Sequence, residues 1–146
     1  MHMVGKENSM KEYIHTVQYY ETDKMGITHH SNYVRWMEEA RVVFLKEIGY
    51  PFEKLEELGI VSPTLSVSCE YKKTTTFTDR IAIEVTVREY RGVKLFLSYE
   101  MKNEAGDVVC TAQSSHALLN TEGRPVNVKK EFPDLHRVLT EMVTPA

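Results

Sequence analysis

The clearest pattern in the chain is a run of apolar residues between positions 33 and 48 that recur at three- and four-residue spacing. This spacing places them on one broad face of an α-helix. The apolar positions are Tyr33, Trp36, Met37, Ala40, Val43, Phe44 and Ile48. Ser31 or Asn32 can serve as the N-cap, and Gly49 suits the C-terminal stop. We therefore predict one long helix with a single buried face.

The second half of the chain alternates apolar and polar residues with a period of two, which is typical of half-buried β-strands. The predicted strands are residues 65–71, 81–88, 93–102 and 109–116. Short turns at residues 78–80, 91–92 and 103–107 favour antiparallel neighbours, because parallel pairs need long crossovers. Phe96 falls on the polar side of its strand, which we interpret as a sign of cover by a partner subunit.

Three further segments complete the predicted elements. Residues 14–20 are rich in β-branched and aromatic types and predict a first strand, which a polar turn at residues 21–26 follows. Residues 52–58, after Pro51, predict a short helix. Residues 132–143 form an amphipathic segment that predicts a final short helix.

The order of elements is thus strand, long helix, short helix and four strands. One long apolar helix can be buried only if the antiparallel sheet curls around it. A helix of about 16 residues spans about 24 Å, roughly the width of a five-stranded sheet. We therefore predict an α+β protein with the hotdog fold, in which a five-stranded antiparallel sheet wraps around one long helix.

Composition narrows the class of protein. The chain has 146 residues, of which 42% are hydrophobic and 27% charged, so we expect one domain, at residues 13–143, and a flexible N-terminal segment at residues 1–12. A net charge of −3 gives no general attraction for nucleic acid. No apolar stretch approaches the roughly 18 residues of a membrane span. Cys69 and Cys110 form no disulfide framework, so we predict buried, reduced thiols and a cytoplasmic location.

Residues 20–41, YETDKMGITHHSNYVRWMEEAR, resemble the signature of the 4-hydroxybenzoyl-CoA thioesterase-like family of hotdog enzymes. In that family Thr-Asp and a short turn with glycine precede a His/Tyr-x-Asn-Tyr segment that opens the long helix. The matching residues are Asp23, Gly26, His30, Asn32, Tyr33, Glu39, Ala40 and Arg41. The resemblance implies an acyl-CoA thioesterase, a thioester hydrolase. It implies catalytic roles for Asp23 and His30 and substrate-binding roles for Gly26, Asn32 and Tyr33.

The position of Asp23 just before the long helix also has a chemical rationale. Thioester hydrolysis needs a nucleophile, or a base that activates water, and a donor that stabilises the oxyanion. N–H groups at a helix start are unpaired and lie at the positive end of the macrodipole. The resemblance implies that the N–H near His30 polarises the thioester carbonyl, and both roles stay open for Asp23. The alternative is an ordinary turn aspartate that accepts nearby N–H groups.

Candidate ligand-binding side chains lie outside the signature as well. His29 and His30 invite a metal hypothesis, but no third ligand stands at a helical spacing, so no metal is predicted. An anionic ligand on a chain of net charge −3 needs a local basic patch, and CoA carries several phosphates. The predicted CoA-binding patch consists of Lys72, Lys73, Arg88, Arg91 and Lys94. The alternative is a solvated sheet edge.

Two other functions stay open on this sequence, because a fold alone does not fix function. One is a thioesterase acting on acyl-(acyl carrier protein), and the other is a non-catalytic acyl-CoA-binding module. For the thioesterase, the partner is a small-molecule acyl-CoA and no cofactor is predicted, since CoA is part of the substrate. The resemblance implies an active site between two protomers, and we predict a two-fold homodimer or a homotetramer.

Overall fold

The computed structural model describes residues 12–144, in which five strands form one antiparallel sheet and a long helix packs on its inner face. The strands are β1 Tyr13–Thr16, β2 Thr64–Tyr71, β3 Arg80–Tyr90, β4 Lys94–Lys102 and β5 Val108–Ala117. The helices are α1 Ser31–Glu47, α2 Phe52–Glu57, α3 Val128–Glu131 and α4 Pro133–Met142. The strand order is β1-β3-β4-β5-β2. The predicted sheet and long helix are confirmed, whereas the flexible segment predicted at residues 1–12 lies outside the described residues except for Glu12.

The core lies between α1 and the sheet. Trp36, Ala40 and Phe44 on α1 are at most 2% exposed. Every second residue of β3 and β4 faces them, as the period-two pattern predicts. The rings of His30, at the amino end of α1, and Tyr71, the last residue of β2, lie 6.1 Å apart. The packing therefore brings the helix start to the edge of the sheet where β2 ends.

The first strand is shorter than the pattern predicts. β1 ends at Thr16 rather than at residue 20, and a 3₁₀ turn occupies Tyr19–Glu21. The Glu21 carboxylate accepts the N–H of Gln18 at 2.8 Å and contacts Nε2 of His15 at 2.9 Å. A buried carboxylate needs hydrogen-bond donors, and a strand that continued to residue 20 would not supply them. The chain therefore turns toward the core after Thr16.

The start of α1 also differs from the prediction. The helix begins at Ser31, so His30, rather than Ser31 or Asn32, occupies the N-cap, and it makes no side-chain cap hydrogen bond. The Asn32 amide instead donates to the carbonyl oxygens of Glu21 and His29 at 3.0 and 3.2 Å. The predicted stop is confirmed, since Gly49 takes a φ of +91° that favours glycine.

The turn at residues 78–80 does not join antiparallel neighbours. β2 pairs with β5, at the far side of the sheet from β3. The N–H of Thr78 donates to the Val17 carbonyl at 3.0 Å, and the N–H of Val17 donates to the Asp79 carbonyl at 2.8 Å. The turn therefore extends the ladder beside β1, and this part of the prediction is wrong.

The structure bears on three smaller predictions. Cys110 is buried but Cys69 is only partly so, because it lies on the edge strand β2. The helix predicted at residues 132–143 is confirmed as α4 Pro133–Met142, and the separate short helix α3 precedes it. The guanidinium carbons of Arg88 and Arg91 lie 5.4 and 5.1 Å from the centroid of the Phe96 ring. The chain itself therefore covers Phe96 in part, and cover by a partner subunit stays a prediction.

His116 on β5 makes the stability of the fold depend on pH. It is 1% exposed and contacts Oγ of Ser114 and Oγ1 of Thr64 at 2.7 and 3.2 Å. Burial, helped by the positive charge of Arg41, lowers the pKa of His116 to about 4. As the pH falls below about 6.5, the unfolded chain takes up a proton there that the folded chain refuses.

The parent protein is therefore expected to lose about 2–3 kcal/mol of unfolding free energy from this group between pH 7 and pH 4.5. Urea unfolding at both pH values measures the loss, which should be smaller by that amount in His116→Gln. Exposed His29→Gln is the control and should follow the parent. Equal losses in all three proteins would contradict the assignment to His116.

Candidate active site

Asp23 lies in a small hairpin formed by residues 22–28. Thr22 and Thr28 pair across its base, and the N–H of Asp23 donates to the Ile27 carbonyl at 2.8 Å. Gly26 closes the turn with a φ of +82°, and its N–H donates to the Asp23 carbonyl at 2.9 Å. A side chain at that φ would be strained, so glycine is required at this point. The hairpin presents Asp23 in a fixed backbone geometry.

The Asp23 carboxylate uses its two oxygens differently. Oδ1 accepts the N–H groups of Met25 and Ile27 at 2.8 and 3.3 Å. Within residues 12–144, Oδ2 receives no hydrogen bond, and the side chain is partly exposed. One oxygen therefore acts as the turn aspartate that the alternative hypothesis describes. The other oxygen is available for chemistry.

The N–H of His30 lies at the start of α1, directly before the first helical residue. The N–H of Ser31 donates to Nδ1 of His29 at 3.2 Å, and those of Asn32 and Tyr33 donate to carbonyl oxygens one turn back. Within the described part of the chain, the N–H of His30 donates no hydrogen bond. It lies at the positive end of the dipole of a 17-residue helix, which favours a negatively charged ligand atom.

A cleft of about 390 Å³ brings these groups together. It is lined by Asp23, Ile27, Thr28, His29, His30, Tyr33, Tyr71, Lys72, Lys73 and Thr74. The rings of Tyr33 and Tyr71 meet edge to face with centroids 5.0 Å apart. Burial raises the pKa of the Tyr33 phenol, which donates to Thr75 at 3.0 Å and stays neutral at pH 7. The cleft thus has an apolar aromatic wall and one carboxylate.

The other residues of the predicted signature are placed differently. Tyr33 lines the cleft, and its role in substrate binding stays a prediction. Gly26 lines a neighbouring depression that shares Asp23 with the cleft. Asn32 is 8% exposed, and its side-chain amide donates to the carbonyl oxygens of Glu21 and His29. These hydrogen bonds stabilise the loop before α1. A substrate contact by Asn32 stays a prediction.

The predicted CoA-binding patch is divided between two ends of the sheet. Lys72 and Lys73 line the cleft, where their amino groups contact Glu70 and Asp107 at 3.3 and 3.0 Å. Arg91 and Lys94 lie at the β3–β4 turn, the opposite end of β4. The length of β4 separates the two groups by about 27 Å. Within one chain they form no single patch, and the roles of Arg91 and Lys94 stay predictions.

Two negative observations concern residues 12–144 only. The imidazoles of His29 and His30 stack with centroids 4.4 Å apart, and no three His, Cys, Asp or Glu side chains of this range converge to hold a metal ion. Within the same range, every helix is too short or too polar to cross a bilayer.

The sequence did not reveal two anchors of the hairpin. Glu21 precedes it with a buried carboxylate, and Thr28 ends it with hydrogen bonds to the backbone and side chain of Thr75. The partners of Glu21 include Trp36, 15 positions away, and Thr75 lies 47 positions from Thr28. No local pattern indicates such pairs. A glutamate directly after two aromatic residues, at the end of a predicted strand, was the one local sign of a buried carboxylate.

Similar proteins bear on the identity of this fold and cleft. A Bacillus subtilis (strain 168) protein, named "Putative acyl-CoA thioesterase YneP", is 35% identical over 121 residues, which cover 82% of this chain and 88% of the relative. A DHNA-CoA thioesterase structure from Staphylococcus aureus is 27% identical with a TM-score of 0.83, and the match covers 89% of this chain and 88% of that one. A hypothetical protein from Aquifex aeolicus is 33% identical with a TM-score of 0.80, over 88% of this chain and 98% of that one.

The same family assignment follows from the sequence as a whole. The thioesterase-like superfamily matches residues 17–139, which begin directly after β1 and include the hairpin, all of α1 and the strands β2 to β5. The predicted hotdog fold of class α+β is confirmed by the two structures. The resemblance read from residues 20–41 is confirmed with it, and the chain belongs to the thioesterase-like superfamily.

Proposed function

We propose that this protein hydrolyses the thioester of an acyl-coenzyme A to the free acid and CoA. One observation carries the proposal: Asp23 and His30 line the same cleft, and neither Oδ2 of Asp23 nor the N–H of His30 is hydrogen-bonded within residues 12–144. Membership of the thioesterase-like superfamily supports a thioester hydrolase. The names of the Bacillus subtilis and Staphylococcus aureus relatives support CoA as the carrier.

In the proposed reaction, Oδ2 of Asp23 either attacks the thioester carbonyl carbon or takes a proton from a water molecule that attacks it. The carbonyl oxygen then becomes negative, and the His30 N–H at the positive end of α1 stabilises it. Collapse breaks the carbon–sulfur bond and expels the CoA thiolate. In the direct route, water then hydrolyses the mixed anhydride on Asp23. No cofactor enters these steps.

Two surfaces support the choice of substrate and assembly. Lys72 and Lys73 border the cleft and suit the phosphates of CoA. Among the residues that the structure describes, β2 pairs with β5 on one side only, and its apolar Leu65 and Val67 are 51% and 42% exposed. An uncovered strand edge of this kind pairs readily with another strand. We propose that a second copy extends the sheet there to give the two-fold dimer.

The function is tested by a thiol-release assay on purified protein with short, long and aromatic acyl-CoAs. Release of CoA thiol from at least one of them, well above the spontaneous rate, is the expected result. The same acyl groups on acyl carrier protein form the second arm, and faster release there would favour the carrier-protein thioesterase. Tight binding of acyl-CoA with no thiol release would overturn the enzymatic proposal in favour of a binding module.

A further inference from the structure

Glu21 is a buried carboxylate beside the active site with a full set of donors. It is 4% exposed. Oε1 accepts the N–H of Gln18 at 2.8 Å and contacts Nε2 of His15 at 2.9 Å, and Oε2 accepts the indole N–H of Trp36 at 2.9 Å. Burial raises the pKa of this carboxyl, but the donors from Gln18, His15 and Trp36 outweigh burial and lower the pKa overall. The group is therefore ionised at neutral pH and held from three sides.

The backbone of Glu21 is attached to the other half of the site. Its carbonyl oxygen accepts the N–H of His29 at 2.9 Å and the side-chain amide of Asn32 at 3.0 Å. Through these contacts Glu21 connects β1 with the buried face and the amino end of α1. Its own chain then continues directly into the Asp23 hairpin. Glu21 itself lines neither the cleft nor the depression beside it.

We infer that Glu21 is the positioning residue that fixes Asp23 against the His30 N–H. The inference rests on the proposed function. Asp23 is two residues beyond Glu21, and the carboxyl-terminal side of the hairpin is tied separately through Thr28 to Thr75. If the Glu21 contacts are lost, the amino-terminal side of the hairpin is no longer held, and the Asp23 carboxylate shifts relative to the His30 N–H. A misplacement of about 1 Å costs about 100-fold in rate.

Glu21→Gln tests the inference with little change in size. A glutamine amide must direct its NH₂ group at one of the three donors, so at least one contact becomes donor against donor. We expect kcat to fall about 10- to 100-fold with KM within about threefold, at a temperature where circular dichroism shows the variant folded. Amide exchange at Asp23 and His29 should accelerate at least about tenfold.

Glu39→Gln is the matched control. Glu39 contacts Nδ1 of His15 at 3.3 Å and accepts a hydrogen bond from Tyr13, but it touches neither the hairpin nor the entry of α1. Its kcat and its exchange at Asp23 should stay within about twofold of the parent. If Glu21→Gln fails to fold, Trp36→Phe removes a single donor and should lower kcat about fivefold or more at unchanged KM.

The outcomes separate this inference from the proposed function. A folded Glu21→Gln protein with parent kcat and parent exchange, whatever its melting temperature, overturns the positioning role, since a merely structural contact would change stability alone. If the parent releases no thiol from any acyl-CoA, the proposed function fails, and amide exchange at Asp23 and His29 then decides the positioning role by itself. Faster exchange in Glu21→Gln but not in Glu39→Gln supports it, and equal exchange overturns it.

Discussion

Asp23→Asn is expected to lower kcat for acyl-CoA hydrolysis about 1,000-fold while the protein remains folded. The asparagine oxygen can still accept the N–H groups of Met25 and Ile27, so the hairpin keeps its shape. An NH₂ group replaces Oδ2, however, and it can neither attack the carbonyl carbon nor take a proton from water. A positioned base or nucleophile contributes about 10²–10⁴ in rate, which sets the expected loss. Thiol release per folded protein, checked by circular dichroism, measures it.

Asp79→Asn is the matched control for this prediction. Asp79 is also a turn aspartate, and its Oδ2 accepts the N–H of Thr76 at 2.8 Å. It lies outside the lining of the cleft, so its replacement should change kcat less than about threefold. If Asp23→Asn hydrolysed a good substrate at the parent rate, Asp23 would be the turn aspartate and nothing more, and the proposed mechanism would be wrong.

The sequence predicts the fold well where the pattern of burial is local. The three- and four-residue spacing of α1 and the alternation of β3, β4 and β5 each follow from one buried face. It fails where a distant contact decides the backbone. β1 ends early because the Glu21 carboxylate contacts His15 of β1 and accepts the indole N–H of Trp36 on α1. The turn at residues 78–80 pairs with Val17 because β2 lies at the other edge of the sheet.

The candidate site divides in the same way. Asp23 and His30 stand seven positions apart in one continuous segment, so the signature that contains them can be recognised without a structure. The anchors Glu21 and Thr28 are recognised only when Trp36 and Thr75 are brought beside them. The sequence also does not reveal how the basic residues are placed, because those at residues 72–73 and those at residues 91–94 lie at opposite ends of β4 once the strand register is known.

His30→Pro is expected to lower kcat about 100- to 1,000-fold, because proline deletes the proposed oxyanion donor and nothing else in the backbone network. No side-chain substitution can remove a backbone N–H, whereas proline has none. The φ of His30 is −57°, which proline adopts without strain. Because this N–H donates no hydrogen bond within residues 12–144, the free protein loses no backbone hydrogen bond from this change. Thiol release with a saturating acyl-CoA measures the effect.

His30→Ala separates the backbone donor from the imidazole. Alanine keeps the N–H and removes the ring that stacks on His29, so kcat should stay within about tenfold of the parent. A loss confined to the proline variant assigns the oxyanion to the backbone of α1. Equal losses in both variants would assign the effect to the imidazole, and the helix start would then have no part in stabilising the transition state. Parent-like activity in His30→Pro would also reject the oxyanion role of the His30 N–H, because the variant lacks this donor.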